Sequence, residues 1–361
     1  MWFNVFLFVA GLTALVVGAE LLVRGASKLA LSFGISPLVV GLTIVALGTS
    51  APEMAVSTGA VLNGQTDIAV GNVVGSNIFN VLFILGLSAL IAPLVVHLQV
   101  IRQELPIMLG AAILLVVMGW DGNIAWFEAA LLLVMTVLYT VFLIVQSRRE
   151  TAAEAAEYDA EIQAAPPGAW DAKWPAQTVL ILVGLALLVL GSDWLVNSAV
   201  LFAQALGVSD VVIALTIVAA GTSMPEVATS VMAAIKGERD IAVGNVVGSC
   251  IFNVLGCIGL SGVAAGAAGL VLAPSVMAFD IWVMLAVTLA CLPIFLSGRE
   301  IARWEGGFFL AYYVAYVTYL ILATQQHDAL PMMSQVMMGF VVPLTVVALI
   351  ASLIRQPSNP A

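Results

Sequence analysis

GLTIVALGTSAPE at residues 41–53 and ALTIVAAGTSMPE at residues 214–226 are one segment written twice, and reading them together decides the fold. A second pair lies close behind, DIAVGNVVGSNIFNVL at 67–82 and DIAVGNVVGSCIFNVL at 240–255. Both pairs keep one offset of 173 residues (226 − 53 and 240 − 67), which also relates Gly11 to Gly184, Gly18 to Gly191 and Asn80 to Asn253. About two thirds of the positions from Gly41 to Ser88 equal their mates, more than shared hydrophobicity produces, so this is a true internal repeat.

The repeats lie in a membrane protein. The 361 residues are 62% hydrophobic and 9% charged, with a mean hydropathy of +1.13, against about 45–50% apolar residues in soluble domains. Eleven apolar runs are long enough to cross a bilayer, at 3–23, 35–60, 68–92, 104–120, 124–146, 176–196, 210–235, 241–266, 276–297, 306–324 and 333–354. Alternating ten-residue runs, the mark of a membrane barrel, are absent, so the fold class is an all-α polytopic bundle. The first run has no basic residue before it and is followed by Arg24 and Lys28, which is the reverse of a cleaved leader. Cys250, Cys257 and Cys291 fall inside expected spans and read as apolar filler.

Much of the net charge of −10 sits between Arg148 and Pro175, in Glu150, Glu154, Glu157, Asp159, Glu161 and Asp171. That segment reads as a solvated linker, its helix broken at Pro166-Pro167-Gly168, with Trp170 and Trp174 suited to the headgroup level. The expected organisation is therefore a first five-helix repeat over 1–147, an acidic cytoplasmic linker over 148–175 and a second five-helix repeat over 176–325. An extra C-terminal transmembrane helix and tail occupy 326–361. With the amino terminus outside, all eleven Lys and Arg residues fall on the cytoplasmic side. Five spans separate equivalent points, an odd number, so the second repeat runs in the opposite direction. The loop Asn63–Asp67 is weakly charged where its mate Lys236–Asp240 is basic, as inversion requires.

Glu53 and Glu226 fall deep within spans, where an ionisable side chain costs about 2.5–3.5 kcal/mol to insert and marks function. No basic residue is expected at similar depth to pair with either, which leaves a cation as the partner. Thr49 and Ser50 precede Glu53 by four and three residues, on one helical face, as Thr222 and Ser223 precede Glu226. Pro52 and Pro225 free carbonyls of the preceding turn, around Ala46 to Gly48 and Ala219 to Gly221. The following helices bring Asn72, Ser76 and Asn80, or Asn245, Ser249 and Asn253, at four-residue spacing. The two outer asparagines read equally as packing glue.

Asp67 and Asp240 open helices and read as N-caps. Glu20 and Asp193 read as structural residues near helix ends, and His97 and His327 as loop residues without partners. The donors around the glutamates are all oxygens, without a His or Cys pair, so the site suits hard cations: one Ca2+ with its 6–8 ligands, or several Na+. Neither a Ser/His nor a paired-aspartate constellation is visible at depth, so the chain reads as a transporter and not an enzyme, with no cofactor and no nucleic-acid or protein partner.

The GTSAPE and GTSMPE segments and the two GNVVGS(N/C)IFN segments closely resemble the alpha repeats of the calcium/cation antiporter superfamily, in its sodium/calcium exchanger branch. That resemblance implies ten core helices in two inverted groups of five. The implied site has Glu53, Thr49, Ser50, Ser76, Asn80 and the Ala46 carbonyl on one side. Glu226, Thr222, Ser223, Ser249, Asn253 and the Ala219 carbonyl face them. The function implied is antiport of Na+ against Ca2+, electrogenic, and independent of K+ because potassium-requiring members resemble this chain except for an aspartate where it has Asn253. The alternative in the same superfamily is a cation/proton antiporter. The linker is too short for the calcium-sensing domains of the animal exchangers, and the run at 333–354 lies outside the ten-helix core.

Overall fold

The computed structural model describes residues 2–147, 171, 173–206 and 219–354. The linker from Arg148 to Trp170, the start of the span expected at 210–235 and the tail from Arg355 lie outside these residues. The helices are α1 (Trp2–Phe33), α2 (Pro37–Thr49), α3 (Ala51–Leu62), α4 (Thr66–Ile91), α5 (Val100–Met118) and α6 (Trp126–Ser147) in the first repeat. The second has α7 (Trp174–Ala205), a short turn at Ala219–Gly221, α8 (Met224–Lys236), α9 (Arg239–Ala268), α10 (Val276–Leu296) and α11 (Arg303–Thr324). The chain then adds α12 (Leu330–Ile350). Among the described residues nine helices are long and apolar enough to span a bilayer, and the bent pair α2–α3 makes a tenth.

Glycine sets how the two longest helices meet. A Cβ on Gly11 would stand 2.8 Å from the Gly191 carbonyl, and one on Gly18 2.9 Å from that of Gly184. The reciprocal positions are equally tight, so α1 and α7 lie backbone to backbone and antiparallel, with repeat mates exchanging contacts. Each helix has 32 residues, about 48 Å at 1.5 Å per residue, well beyond the ~30 Å hydrocarbon core. The expected spans 3–23 and 176–196 therefore stop short of both helices, and Glu20 and Asp193 lie well inside them rather than near their ends.

Two short ladders demonstrate the inversion. β1 (Leu94–Val95) follows the third membrane helix of repeat one, and β2 (Asn123–Ile124) follows the fourth. Their mates are β3 (Leu270–Val271) and β4 (Glu300–Ile301), yet β1 pairs with β4 and β2 with β3. The ends of consecutive membrane helices lie on opposite faces, so these pairings form only if the repeats run in opposite directions. The mates also show that the 173-residue register ends past Asn253. The offset becomes 176 at the first strand (270 − 94), after the inserted turn Gly266–Ala268, and 177 at the second (300 − 123).

Core packing follows from the small residues of the repeats. The glycines of α9 lie against α2: a Cβ on Gly244 would stand 2.9 Å from the Leu38 carbonyl, and one on Gly248 2.7 Å from the Ala46 Cβ. This brings the third membrane helix of repeat two against the broken helix of repeat one. The last helix, α12, lies outside this core, joined to α11 through a bond between the Tyr312 and Thr345 hydroxyls.

Candidate functional site: two carboxylates between the repeats

Each glutamate stands where proline restarts a helix. Proline is tolerated in a first helical turn, which needs no N–H from it, but it cannot continue a helix already running. The chain breaks at Ser50 (φ −79°, ψ 2°), α2 and α3 bend by 40°, and Pro52 and Glu53 fall in the first turn of α3. Ser223 (φ −89°, ψ 9°), Pro225 and Glu226 repeat the arrangement at the start of α8. Both carboxylates thus sit at the positive end of a half-helix.

Proline frees the last of the expected carbonyls, that of Gly48, and not the first. The Ala46 carbonyl accepts the Ser50 N–H at 3.0 Å and the Thr49 hydroxyl at 3.3 Å. The N–H that Pro52 lacks would have served Gly48, four residues back. Gly221, the mate of Gly48, shows where that freedom goes, since its carbonyl accepts the Ser192 hydroxyl at 2.7 Å. Ala219 opens the short turn that precedes the break.

The halves are laced together through crossed bonds. Ser223 of repeat two donates to Glu53 Oε1 at 2.8 Å, and Ser50 of repeat one donates to Glu226 Oε1 at 3.1 Å. Ser76 lies 2.9 Å from Ser223 and 3.5 Å from Glu53 Oε1. Thr49 and Ser249 also lie against the Glu226 carboxyl, though the Ser249 hydroxyl makes no well-formed hydrogen bond. Glu53, Glu226, Thr49, Ser50, Ser223, Ser249, Asn80 and Asn253 are inaccessible to solvent, Ser76 nearly so, and Thr222 is half-buried. Among the described residues the side chains that bond the two carboxylates are hydroxyls, and no basic side chain does so.

Five residues keep buried polar atoms without a protein partner here: Glu53 Oε2, Glu226 Oε2, both amide atoms of Asn80, Thr222 Oγ1 and Ser249 Oγ. Burying such atoms unpaired costs about 1–3 kcal/mol each. All of the acceptors among them are hard oxygens of the kind that Ca2+ and Na+ prefer.

The third membrane helices carry the remaining ligand candidates. Asn80 and Asn253 each begin a π-helical turn, Asn80–Leu85 in α4 and Asn253–Cys257 in α9, a distortion frequent at functional sites. Two turns earlier, Asn72 donates to Ser57 at 3.0 Å and Asn245 to Ser230 at 2.9 Å, joining the second and third helices of each repeat. Asn245 also accepts the Thr49 hydroxyl at 3.1 Å, so it supports the site as well as the packing. Ser57 and Ser230 were not singled out from sequence, although they follow the glutamates by four residues and share their face.

Other expectations need correction. Asp67 and Asp240 are not N-caps: Gln65 and Glu238 hold those positions, and the acids lie in the first turn, where the helix dipole favours them. His97 has a partner, lying 3.8 Å from Asp240. Glu20 pairs with Lys236 at 2.5 Å, whereas Asp193, its mate, accepts from Asn197 on its own helix at 2.9 Å. Two of the cysteines also donate, Cys257 Sγ to Asn253 Oδ1 at 3.5 Å and Cys250 Sγ weakly to the Asn77 carbonyl at 4.0 Å.

Asp171, the last of the linker acids, is buried between Arg24 and Lys28, each 2.5 Å away. The Lys28 ammonium, helped by the Arg24 guanidinium, holds its carboxyl below the usual carboxylate range. A further symmetric feature escaped the sequence reading. Tyr139 donates to Glu104 at 2.7 Å, and Tyr316 donates to Asp280 at 2.8 Å, in equivalent places of the two repeats. The offset of 176 there hid the equivalence of Glu104 and Asp280.

Comparison with known proteins agrees with this architecture. A family profile described as "Sodium/calcium exchanger protein" matches residues 3–145 and 176–322. The sodium/calcium exchanger MaX1 of Methanosarcina acetivorans is 32% identical over 351 residues, covering 88% of this chain and 98% of that one. The inner membrane protein YrbG of Escherichia coli is 36% identical over 254 residues, 70% of this chain and 78% of its own. A solved structure of the sodium-calcium exchanger NCX_Mj, soaked without Na+ and Ca2+, superposes with a TM-score of 0.74 at 29% identity, covering 88% of this chain and 98% of that one. With both repeats inside the matched residues, the chain belongs to the sodium/calcium exchanger protein family.

Proposed function

We propose that this protein exchanges Na+ for Ca2+ by alternating access at the single site between the repeats, electrogenically and without K+. The observation that carries the reading is the crossed pair of buried glutamates. Each carboxylate is held by a serine beside the other, each keeps one oxygen unpartnered, and basic side chains among the described residues do not neutralise them. Two buried negative charges attract either ion, so Ca2+ and Na+ compete for the same oxygens and their fluxes are coupled; the family resemblance implies more than two Na+ for each Ca2+, which is what makes the exchange electrogenic.

Glu53, Glu226, Asn80, Thr222 and Ser249 supply oxygens directly. Thr49, Ser50, Ser76 and Ser223 orient them and join the shell by turning toward the ion, the Ala46 and Ala219 carbonyls can complete it, and Asn253 lines the same site with its amide bonded to Ser76. Asn253, an amide where an aspartate would add charge, supports independence from K+. The MaX1 and NCX_Mj names, both of sodium–calcium exchangers, support the ion pair chosen. In the orientation proposed, the amino terminus is outside the plasma membrane and the linker and tail are cytoplasmic, in keeping with the basic loops.

The test is uptake of radioactive Ca2+ into proteoliposomes with Na+, K+ or proton gradients imposed in turn. An outward Na+ gradient should drive uptake, the added K+ should leave it unchanged, and an imposed membrane potential should alter its rate. Uptake driven by a pH gradient and indifferent to Na+ would overturn the reading in favour of cation/proton exchange.

A further inference from the structure

The two halves of the site differ in how their asparagines are held. Asn77 and Cys250 are repeat mates that meet between the two third helices, both buried. The Asn77 Nδ2 donates to the backbone carbonyl of Cys250 at 3.1 Å. A carbonyl can only accept, so this bond fixes which way the Asn77 amide points. Its Oδ1 then faces Asn253 and takes the Nδ2 of that residue at 3.0 Å. Asn253 Nδ2 also donates to Ser76 at 3.1 Å, and its Oδ1 receives the Cys257 thiol at 3.5 Å. From one backbone carbonyl, a chain of bonds thus determines the orientation of Asn253 and engages its only acceptor oxygen.

Repeat one lacks the parts to do the same. The mate of Asn77 is Cys250, which has no amide oxygen, and the mate of Cys257 is Ile84, which has no donor. Asn80 accordingly lies against the Cys250 thiol with neither amide atom in a well-formed hydrogen bond, although it is as deeply buried as Asn253. The pocket offers one free amide oxygen, not the two that the sequence symmetry suggests.

We propose that Asn77 is a positioning residue that sets the ion preference of the site by holding the Asn253 amide oxygen away from the cation, leaving Asn80 as the amide ligand. This rests on the cation site proposed above. Withholding one neutral oxygen disfavours Ca2+, which takes about 6–8 oxygens, more than it disfavours a smaller shell around Na+.

Equilibrium binding of radioactive Ca2+ to the purified protein, with Na+ as competitor, tests it. Asn77→Ala should release Asn253 and raise the ratio of Ca2+ to Na+ affinity roughly fivefold, the scale of one neutral polar contact. In an Asn253→Ala background the same substitution should leave the ratio unmoved, since Asn77 acts through Asn253. Cys250→Asn, which gives repeat one the amide it lacks, should tie Asn80 down and weaken Ca2+ binding about tenfold.

A ratio unchanged by Asn77→Ala in a protein of lowered thermal stability would mark Asn77 as merely structural and overturn the proposal. So would an equal shift whether or not Asn253 is present. Absence of Ca2+ binding in the wild-type protein would instead overturn the cation-site reading itself.

Discussion

The two repeats share most of their central sequence and do not share their chemistry. The carboxylates and their crossed serines are nearly equivalent: Ser223 reaches Glu53 at 2.8 Å and Ser50 reaches Glu226 at 3.1 Å. The periphery diverges at a few positions. Asn77 faces Cys250, Lys236 stands where repeat one has Asn63, and Arg24 and Lys28 stand where repeat two has Asn197 and Leu201. The divergent residues engage Asn253, pair with Glu20 and hold Asp171. Symmetry thus provides the cation site, and departures from symmetry decide how each half is held.

The largest test of that equivalence lies in the crossed serines. A hydrogen bond to a charged group contributes about 1.5–3 kcal/mol, so Ser223→Ala and Ser50→Ala should each weaken Ca2+ binding by about 10–100-fold. Ser223 should be the costlier, because its bond is shorter and it also holds Ser76. Equal losses would make the halves more alike than the geometry indicates, and a loss in one alone would break the equivalence.

A smaller effect concerns the clamp that only repeat one has. Asp171 has a lowered folded pKa, so its contribution to stability is complete above the unfolded value of about 3.9 and fades as pH falls through the lower folded value. Asp171→Asn should lower the melting temperature at pH 6–7, and the difference from wild type should shrink as acid takes the pH down through the lowered carboxyl pKa. A difference that persists undiminished in acid would show that packing, not charge, is what Asp171 supplies. The smallest effect belongs to the partly exposed Glu20–Lys236 pair, worth about 0.2–1 kcal/mol. Lys236→Gln should change the Ca2+ uptake rate by less than about fivefold, and Asp193→Asn, its counterpart opposite, by less still.

What could be read in advance followed the strength of the repeat. Glu53 and Glu226, with their threonines and serines, were legible because buried charge is costly and an exact offset pairs every ligand candidate with a mate. Asn77 was not, since a single Asn-to-Cys difference in a matched motif gives no sign of which amide it will grip. Glu104 and Asp280 were hidden by the three inserted residues at Gly266–Ala268, which moved them out of the expected register. Of the carbonyls expected to be freed from Ala46 to Gly48, proline takes the helical partner of Gly48 alone, because the chain breaks at Ser50 only after the helical bond to Ala46 has formed. The ends of α1 and α7 were missed because hydropathy falls off before the helix does.

Calorimetric titration of the purified protein with Ca2+, comparing wild type with Glu53→Gln and Glu226→Gln, tests most directly whether both carboxylates build one site. One Ca2+ bound per chain, lost in either substitution, is the predicted result. Two Ca2+ per chain, with each substitution removing one and sparing the other, would contradict it.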